Sequence, residues 1–427
     1  MYREDNMRSD ADKHSGDRHG AGCHSLSKIT ALIVAMFVLS PSIAPAATYV
    51  VNPCGSGDFP TIQTAIDNAA DGDVIELTDG VFFGDGNRDI VYKGIALTVR
   101  SQSGNPQVCV IDCGWSDTDS HRGFLFRSND GPDAVLEGVT VTGGDLSEPD
   151  VLDDGGAVLC IRRASPTFVN CWFTENRALK GAAVCCRGTS SPKFIDCVFS
   201  SNSACGLIGG GQGGGLYCEN GAAPVLQRCV FYDNSAYYGG GLHCSGLASP
   251  ILEHCTFLFN SGAHLGGAIN CAGATPRISN CTIYGGGALG FGGGIAWFSD
   301  QSGSITNTII AFVQEGGSFR CGDSPPPTLT CCNIYGNVGG NWIDCIADQA
   351  SIQGNFSADP LFCDPYHGDF TLHANSPCLP GCHPDGVDCG LIGAQNQGCA
   401  ATAVESGFEV TSWARIKAAY RLGTRLP

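Results

Sequence analysis

Four aspartate carboxylates stand close together in one short stretch of the sequence, GGDLSEPDVLDDGG at residues 143–156. They belong to Asp145, Asp150, Asp153 and Asp154. Carboxylate oxygens are ligands that Ca²⁺ prefers in proteins, so these aspartates form a candidate calcium site. The competing interpretation is an acidic surface loop that only water solvates. The sequence requires no other cofactor.

Cysteines are the second set of side chains with chemistry of their own, and the chain has 25 of them. Cys23 lies within residues 1–46, which are predicted to be removed as a signal peptide. The remaining 24 cysteines are an even number, which is typical of proteins in which disulfides form. Zinc binding is the alternative. Only Cys109 with Cys113, and Cys378 with Cys382, approach the spacing of a zinc site, and no histidine pair completes a ligand set.

Ten of the cysteines recur in two columns that reveal a repeat. The first column has spacings of 26, 32, 26 and 27 residues, and the longer spacing comes from an insertion in ACGLIGGGQG at 204–213. The first column is Cys160, Cys186, Cys218, Cys244 and Cys271, and the second is Cys171, Cys197, Cys229, Cys255 and Cys281. A period of this size is typical of solenoids, whose repeats bury their apolar faces by stacking on their neighbours.

Apolar positions alternate within each repeat, as strands require. Two places after the second cysteine stand Phe173, Phe199, Phe231 and Phe257. Glycine doublets and a proline in every copy argue against helices. We therefore predict parallel strands whose equivalent residues lie on top of each other, about 4.8 Å apart. The stacked cysteines then pair between coils, pair across the interior as in Cys160 with Cys171, or serve as small buried apolar side chains.

Asparagine forms a further column, three residues after each phenylalanine. Its members are Asn176, Asn202, Asn234 and Asn260. Asparagine tolerates the left-handed backbone of a tight turn, and stacked amides can hydrogen-bond along a column. We predict a structural role for these asparagines, with ligand binding as the alternative.

The repeat motifs resemble those of a known family. GGAI at 266–269 and its variants GGAV and GGGL, together with F-x-x-N at 173–176 and its three later copies, are similar to the repeat of polymorphic outer membrane proteins. Those repeats belong to the pectin-lyase-like class, so the resemblance implies an all-β, single-stranded right-handed parallel β-helix. It covers roughly residues 135–313 and implies a secreted or cell-surface solenoid with adhesive or structural use.

The same class includes lyases, hydrolases and esterases that act on acidic polysaccharides. A hydrolase needs two converging carboxylates, and a lyase needs a cation with a lysine or arginine base. The outward positions before the second cysteine are a mixed set without adjacent acids, namely Asn170, Asp196, Arg228, His254 and Asn280. No catalytic residue is identified. We predict a non-catalytic protein for adhesion, envelope structure or carbohydrate binding, with an extracellular polysaccharide lyase, hydrolase or esterase as the alternative.

The two ends of the chain differ from the repeats. Residues 1–46 are predicted to be a signal peptide, because an apolar run of eleven residues at 29–39 precedes the small-residue site Ala44-Pro45-Ala46. Residues 47–134 would hold the N-terminal cap and first coils, 135–313 the regular repeats, 314–399 cysteine-rich final coils with a cap, and 400–427 a tail.

Both caps have sequence signals of their own. Helical spacing of Ile62, Ala65, Ile66 and Ala69 predicts a short capping helix, in a stretch that resembles the lead-in of pectinesterases. Residues 357–381 resemble the closing segment of bacterial right-handed β-helix proteins. Irregular cysteine spacing from 321 to 399 favours disulfides there.

Composition limits the partners. A net charge of -18 opposes binding to nucleic acid or to an anionic membrane surface. Beyond the leader, no segment is apolar and long enough to cross a membrane. We expect a monomer that is secreted or held at the cell envelope, on the outer membrane surface or outside the cell. Its expected partners are polysaccharides or surface components of a host or neighbouring cell.

Overall fold

The chain winds into a parallel β-solenoid of about 13 turns, so the predicted all-β right-handed parallel β-helix is confirmed. The computed structural model describes residues 45–115, 120–127, 129–146, 154–205 and 210–400. Within these residues, no helix combines the length and the apolar composition that crossing a membrane takes.

Four parallel sheets run along the solenoid in the described part of the chain. Sheet 1 has 11 strands, Thr48–Val51, Val74–Leu77, Thr98–Ser101, Val135–Glu137, Thr167–Val169, Lys193–Ile195, Val225–Gln227, Ile251–Glu253, Arg277–Ser279, Ser304–Thr306 and Thr328–Thr330. Sheet 2 has 10 strands, Gly80–Phe83, Cys109–Asp112, Thr140–Thr142, Trp172–Thr174, Val198–Ser200, Val230–Tyr232, Thr256–Leu258, Thr282–Tyr284, Ile309–Ala311 and Asn333–Tyr335.

The other two sheets complete each coil. Sheet 3 has nine strands, Ile90–Val91, Phe124–Phe126, Val158–Cys160, Val184–Arg187, Leu216–Glu219, Leu242–Ser245, Ile269–Ala272, Ile295–Phe298 and Phe319–Cys321. Sheet 4 has six short strands, Asp145–Leu146, Arg177–Ala178, Ser203–Ala204, Ser235–Tyr238, Ser261–Leu265 and Gly287–Ala288. A regular coil passes from sheet 3 to sheet 1, then to sheet 2 and sheet 4.

Single residues make the corners between sheets. Between sheets 1 and 2 one residue takes a left-handed backbone, with φ of 48° at Asn170 and 54° at Asp196. This residue shifts the alternation of buried side chains by one place. Between sheets 4 and 3 the turn needs glycine, because a Cβ on Gly239, whose φ is 66°, would lie 2.3 Å from the carbonyl oxygen of Leu242.

Identical side chains lie on top of each other in the interior. Phe173 pairs with Phe199, and Phe231 stacks on Phe199 and Phe257 with ring centroids 4.4 and 4.5 Å away. The first cysteine column is in register through four strand pairs. The second column is buried, and its thiols donate to carbonyl oxygens, for example Cys229 to Phe194 at 3.5 Å. All ten of these cysteines are free thiols.

The asparagine column is continuous and buried. The Nδ2 atoms of Asn176, Asn202 and Asn234 each donate to the Oδ1 atom of the next asparagine at 2.9–3.0 Å. We expected the asparagine to adopt the left-handed backbone of this turn, and that prediction is wrong. The residue before the asparagine adopts it, such as Asp233 with φ of 51°. The asparagine points inward instead, because its amide satisfies the backbone groups that the turn leaves without strand partners.

Both ends of the solenoid are covered. The helix Ile62–Asn68 buries Ile62, Ala65 and Ile66, and Thr61 caps it. At the other end lie the 3₁₀ helices Asp344–Gln349 and Pro365–His367 and a three-stranded sheet, Phe362–Asp364, Asp369–His373 and Gln397–Cys399. The C-terminal region forms disulfides, as its cysteine spacing favoured, and the pairs are Cys321–Cys345, Cys331–Cys389 and Cys363–Cys399.

The C-terminal segment also folds back along the outside of the solenoid. The ring of Phe370 lies 4.9 Å from that of Tyr284 on sheet 2. The Nδ2 atom of Asn280 donates to the carbonyl oxygen of Leu391 at 2.7 Å, across 111 residues of sequence. The segment therefore covers the side of the last coils as well as their end.

Candidate binding face

Two of the four predicted calcium ligands, Asp145 and Asp154, lie in the described part of the chain, and each forms an ion pair with an arginine. The Oδ2 atom of Asp145 lies 3.8 Å from Nη1 of Arg177, and Asp154 forms an ion pair with Arg187. Both aspartates are buried. Asp150 and Asp153 lie outside the described residues, so a calcium site that uses all four stays a prediction.

The outward residues before the second cysteine column lie at the corner of sheets 1 and 2, where three of the side chains contact other parts of the same chain. Arg228 donates from Nε to Asp196 at 2.7 Å, and both side chains are about half exposed. Asn280 holds the C-terminal segment. Asn170 donates to the carbonyl oxygen of Gly104 at 3.0 Å. These contacts tie neighbouring coils together and do not assemble a reactive site.

Potential ligand-binding groups gather elsewhere, on the outer surface where sheet 4 passes into sheet 3, which we call the junction face. Two columns define it. The lip column continues through parallel bridges over six coils, Asp154, Lys180, Gln212, Tyr238, Leu265 and Phe291. The floor column lies beside it on the outer side of sheet 3, Leu159, Cys185, Tyr217, His243, Asn270 and Ala296.

A network of charges crosses three consecutive coils at one end of this face. Arg187 forms ion pairs with both Asp154 and Glu219. The Nζ atom of Lys180 lies 3.9 Å from Oε2 of Glu219. The hydroxyl of Tyr217 donates to the same Oε2 atom at 2.6 Å. The two acids and two bases neutralise each other.

The network fixes the protonation of its members. Burial alone would raise the pKa of Glu219, but hydrogen bonds from Tyr217 and Arg187 outweigh it and the pKa is lowered. Burial alone would lower the pKa of Arg187, but Asp154 and Glu219 raise it. At neutral pH Glu219 is therefore ionised and Arg187 is protonated.

A second polar group lies one coil further along the floor. The Nδ2 atom of Asn270 lies 2.8 Å from Nδ1 of His243. Burial lowers the pKa of His243 to about 3, so the ring is neutral at pH 7. Nδ1 accepts from the asparagine amide, which leaves the ring proton on Nε2. The Oδ1 atom of Asn270 is buried, and among the described residues it has no hydrogen-bond partner.

Aromatic rings line the middle of the junction face. The ring of Tyr217 stacks on that of His243 with centroids 5.3 Å apart. The ring of Tyr237, which is 40% exposed, stacks on His264 at the same distance. Tyr238 lies between the two pairs, 4.8 Å from Tyr237 and 6.2 Å from His243. These rings form a chain of contacts across neighbouring coils, in which Tyr217 and His243 are buried and Tyr237 is exposed.

A further exposed ring lies beyond them at the far end of the lip. Phe291 is 53% exposed, and the guanidinium of Arg320 lies 4.8 Å from its ring centroid. Arg320 also donates to Asp344 at 2.9 Å. Phe291 thus places a second exposed ring on the lip, separated from Tyr238 by Leu265.

Sequence analysis missed the floor column although a signal was present. Five of the six floor residues immediately precede a cysteine of the first column, as Tyr217 precedes Cys218 and His243 precedes Cys244, and the sixth, Ala296, precedes Trp297. Because side chains alternate along a strand, a buried cysteine places its predecessor on the outer surface. The residues there are not alike, so no repeat drew attention to them.

The buried His243 predicts a pH dependence of stability. Its folded pKa of about 3 lies below the value of 6.5 expected when unfolded, so below pH 6.5 the unfolded chain binds the extra proton. The free energy of unfolding should be unaffected by this group above pH 6.5 and should fall by about 1.4 kcal/mol per pH unit below it.

Urea unfolding at pH 7 and pH 5 checks this prediction. The His243→Gln variant should lose about 2 kcal/mol less than the unmodified chain over that interval. Equal losses in the two proteins would contradict it.

The match to a protein-family model agrees with the architecture. The family model of the right-handed beta helix region matches residues 112–267 and again 208–357. Among solved structures, the chain is similar to the crystal structure of pectate lyase Pel9A, with 14% identity and a TM-score of 0.48 over 84% of this chain and 98% of that one. A search of curated proteins found no match. Because the two family matches span more than half of the sequence, the chain belongs to the right-handed beta helix family.

Proposed function

We propose that this protein is an extracellular, non-catalytic β-helix that binds carbohydrate along the junction face. The observation that carries the proposal is a set of aromatic rings, with Tyr237 and Phe291 exposed and Tyr238 partly exposed, beside a polar floor. Aromatic faces pack against the C–H faces of sugar rings, and a few fixed polar groups then orient the ligand.

The shape of the face suits a polymer. Equivalent side chains recur about every 4.8 Å along the solenoid axis. That distance is close to the length of one hexopyranose unit in an extended chain. Each coil can therefore present its side chains to one sugar unit of an extended chain. Proteins built of stacked repeats commonly bind ligands along such extended surfaces.

The charge network supports binding rather than bond cleavage. A glycosidase needs one carboxyl that holds a proton, whereas the pKa of Glu219 is lowered. A lyase needs a base that has lost its proton, whereas the pKa of Arg187 is raised. The alternative is an extracellular polysaccharide lyase, hydrolase or esterase of the pectin-lyase-like class, with its reactive groups elsewhere on the solenoid.

The cysteines and the fold support the extracellular location in this proposal. Three disulfides and a fold of the pectate lyase type are typical of extracellular proteins. The predicted signal peptide at residues 1–46 would direct the chain there, although residues 1–44 lie outside the described part. Adhesion to polysaccharide of a host or neighbouring cell, by a repeat like that of polymorphic outer membrane proteins, is part of this proposal.

A glycan-binding assay with one variant and one matched control tests the function. The Tyr237→Ala variant should bind about tenfold more weakly to a polysaccharide that the unmodified chain binds, because the variant loses a stacking surface. Phe83→Ala removes a ring that is 61% exposed on sheet 2, away from the junction face, and should bind as the unmodified chain does. Equal weakening in both variants would place binding elsewhere.

Product analysis in the same reactions distinguishes the alternative. We expect neither new reducing ends nor unsaturated sugars from any polysaccharide, with or without Ca²⁺. Release of either product would support the enzyme and overturn the non-catalytic proposal.

A further inference from the structure

We infer that the polymer bound on the junction face is a neutral glycan, built from uncharged hexose or pentose units, and not a uronate polymer. The inference rests on the proposed function and specifies its ligand. Charge, hydrogen bonding and ring exposure on the face lead to it separately.

Charge is the first argument. A uronate polymer needs cations that are free to meet its carboxylates. On the junction face Lys180 and Arg187 already form ion pairs with Glu219, and Arg187 also forms one with Asp154. At the far end, Arg320 is paired with Asp344 at 2.9 Å. These three cations are therefore satisfied within the chain.

The net charge of the chain also disfavours binding of a uronate polymer. The chain carries a net charge of -18, so a polyanion that approaches any face meets long-range repulsion. A neutral polymer meets none. Since the local charges of the network cancel, binding of a neutral polymer should also respond little to ionic strength.

Hydrogen bonding is the second argument. Among the described residues, the Oδ1 atom of Asn270 is a buried acceptor without a partner, and this side chain is only 2% exposed. Beside it, neutral His243 has its proton on Nε2, which can donate. A sugar hydroxyl both donates and accepts, so it satisfies this pair, whereas a carboxylate only accepts and would be repelled by Oδ1.

The rings are the third argument, because they place the polar pair within an apolar surface. Tyr217 stacks on His243, and Tyr238 lies beside it. Tyr237 and His264 extend the surface outward. An uncharged pyranose ring covers the exposed rings of Tyr237 and Phe291 with its C–H face, next to the buried floor. A charged carboxylate would have to be desolvated there at considerable cost.

Binding assays with paired polymers test this inference. The full-length secreted chain is titrated with neutral polymers, glucomannan and xylan, and with acidic ones, polygalacturonate and alginate, at low and high salt. We expect at least one neutral polymer to bind about tenfold more tightly than either acidic polymer, with an affinity that changes less than about twofold with salt. Tighter binding of an acidic polymer, or binding that salt weakens steeply, would overturn the inference.

A pair of variants adds a readout at the floor. Asn270→Ala should weaken binding of the neutral polymer about fivefold to tenfold, since it removes the acceptor for the hydroxyl. Asn220→Ala, at an exposed turn, is the control and should leave the affinity unchanged. Equal affinities in the two variants would overturn the role of Asn270.

The outcomes keep the inference and the function apart. Binding of acidic polymers alone would refute the neutral ligand while glycan binding remained. The absence of binding to all four polymers would overturn the proposed function itself.

Discussion

Replacing Asn234 by aspartate is expected to destabilise the solenoid by about 3–5 kcal/mol. The Nδ2 atom of Asn234 donates to the carbonyl oxygen of Phe199 at 2.8 Å and to Oδ1 of Asn260 at 2.9 Å. Aspartate has the same shape but no donor there when ionised, so the oxygen that replaces Nδ2 would face two acceptor oxygens. It would also leave a buried charge without a counterion. Because coils are held only by their neighbours, the defect weakens both halves.

Equilibrium unfolding in urea, followed by circular dichroism, measures this loss. Asn220→Asp makes the same chemical change at an exposed turn and should alter the free energy of unfolding by less than about 0.5 kcal/mol. If the two variants unfolded at the same urea concentration, the asparagine column would have no stabilising role.

Truncating Phe231 to alanine is expected to cost about 3–5 kcal/mol. Its ring is fully buried and lies parallel to those of Phe199 and Phe257, with interplanar angles of 2° and 5°. The stacked strands cannot move closer together to fill the space, because the hydrogen bonds between them fix their spacing. Both the lost burial and the remaining cavity therefore contribute.

Thermal and urea unfolding of Phe231→Ala against Phe83→Ala provides the comparison. The latter removes the same ring from an exposed position and should change stability by less than about 1 kcal/mol. A Phe231→Ala protein as stable as the control would mean that the phenylalanine column does not form the core.

The sequence was informative where one side chain recurs. Strand stacking makes equivalent residues vertical neighbours, so the cysteine and phenylalanine columns predicted the parallel solenoid directly. The cap helix could be read from Ile62, Ala65 and Ile66 because its apolar spacing is local.

The candidate site was harder to predict because its members do not repeat. Asp154 looked like a calcium ligand among neighbouring acids, yet it pairs with Arg187 one coil later. Glu219 reaches the same arginine only because the insertion at 204–213 does not interrupt the stacking of the strands on either side of it. The fold-back of the C-terminal segment onto Asn280 spans 111 residues, and no local pattern encodes it.

A crystal structure of the protein with a neutral oligosaccharide would show whether the junction face binds a glycan. We predict intact sugar rings that pack against Tyr237 and Phe291, with one hydroxyl within hydrogen-bond distance of Oδ1 of Asn270. An oligosaccharide bound along sheet 1 or sheet 2, with the junction face free of it, would contradict the account.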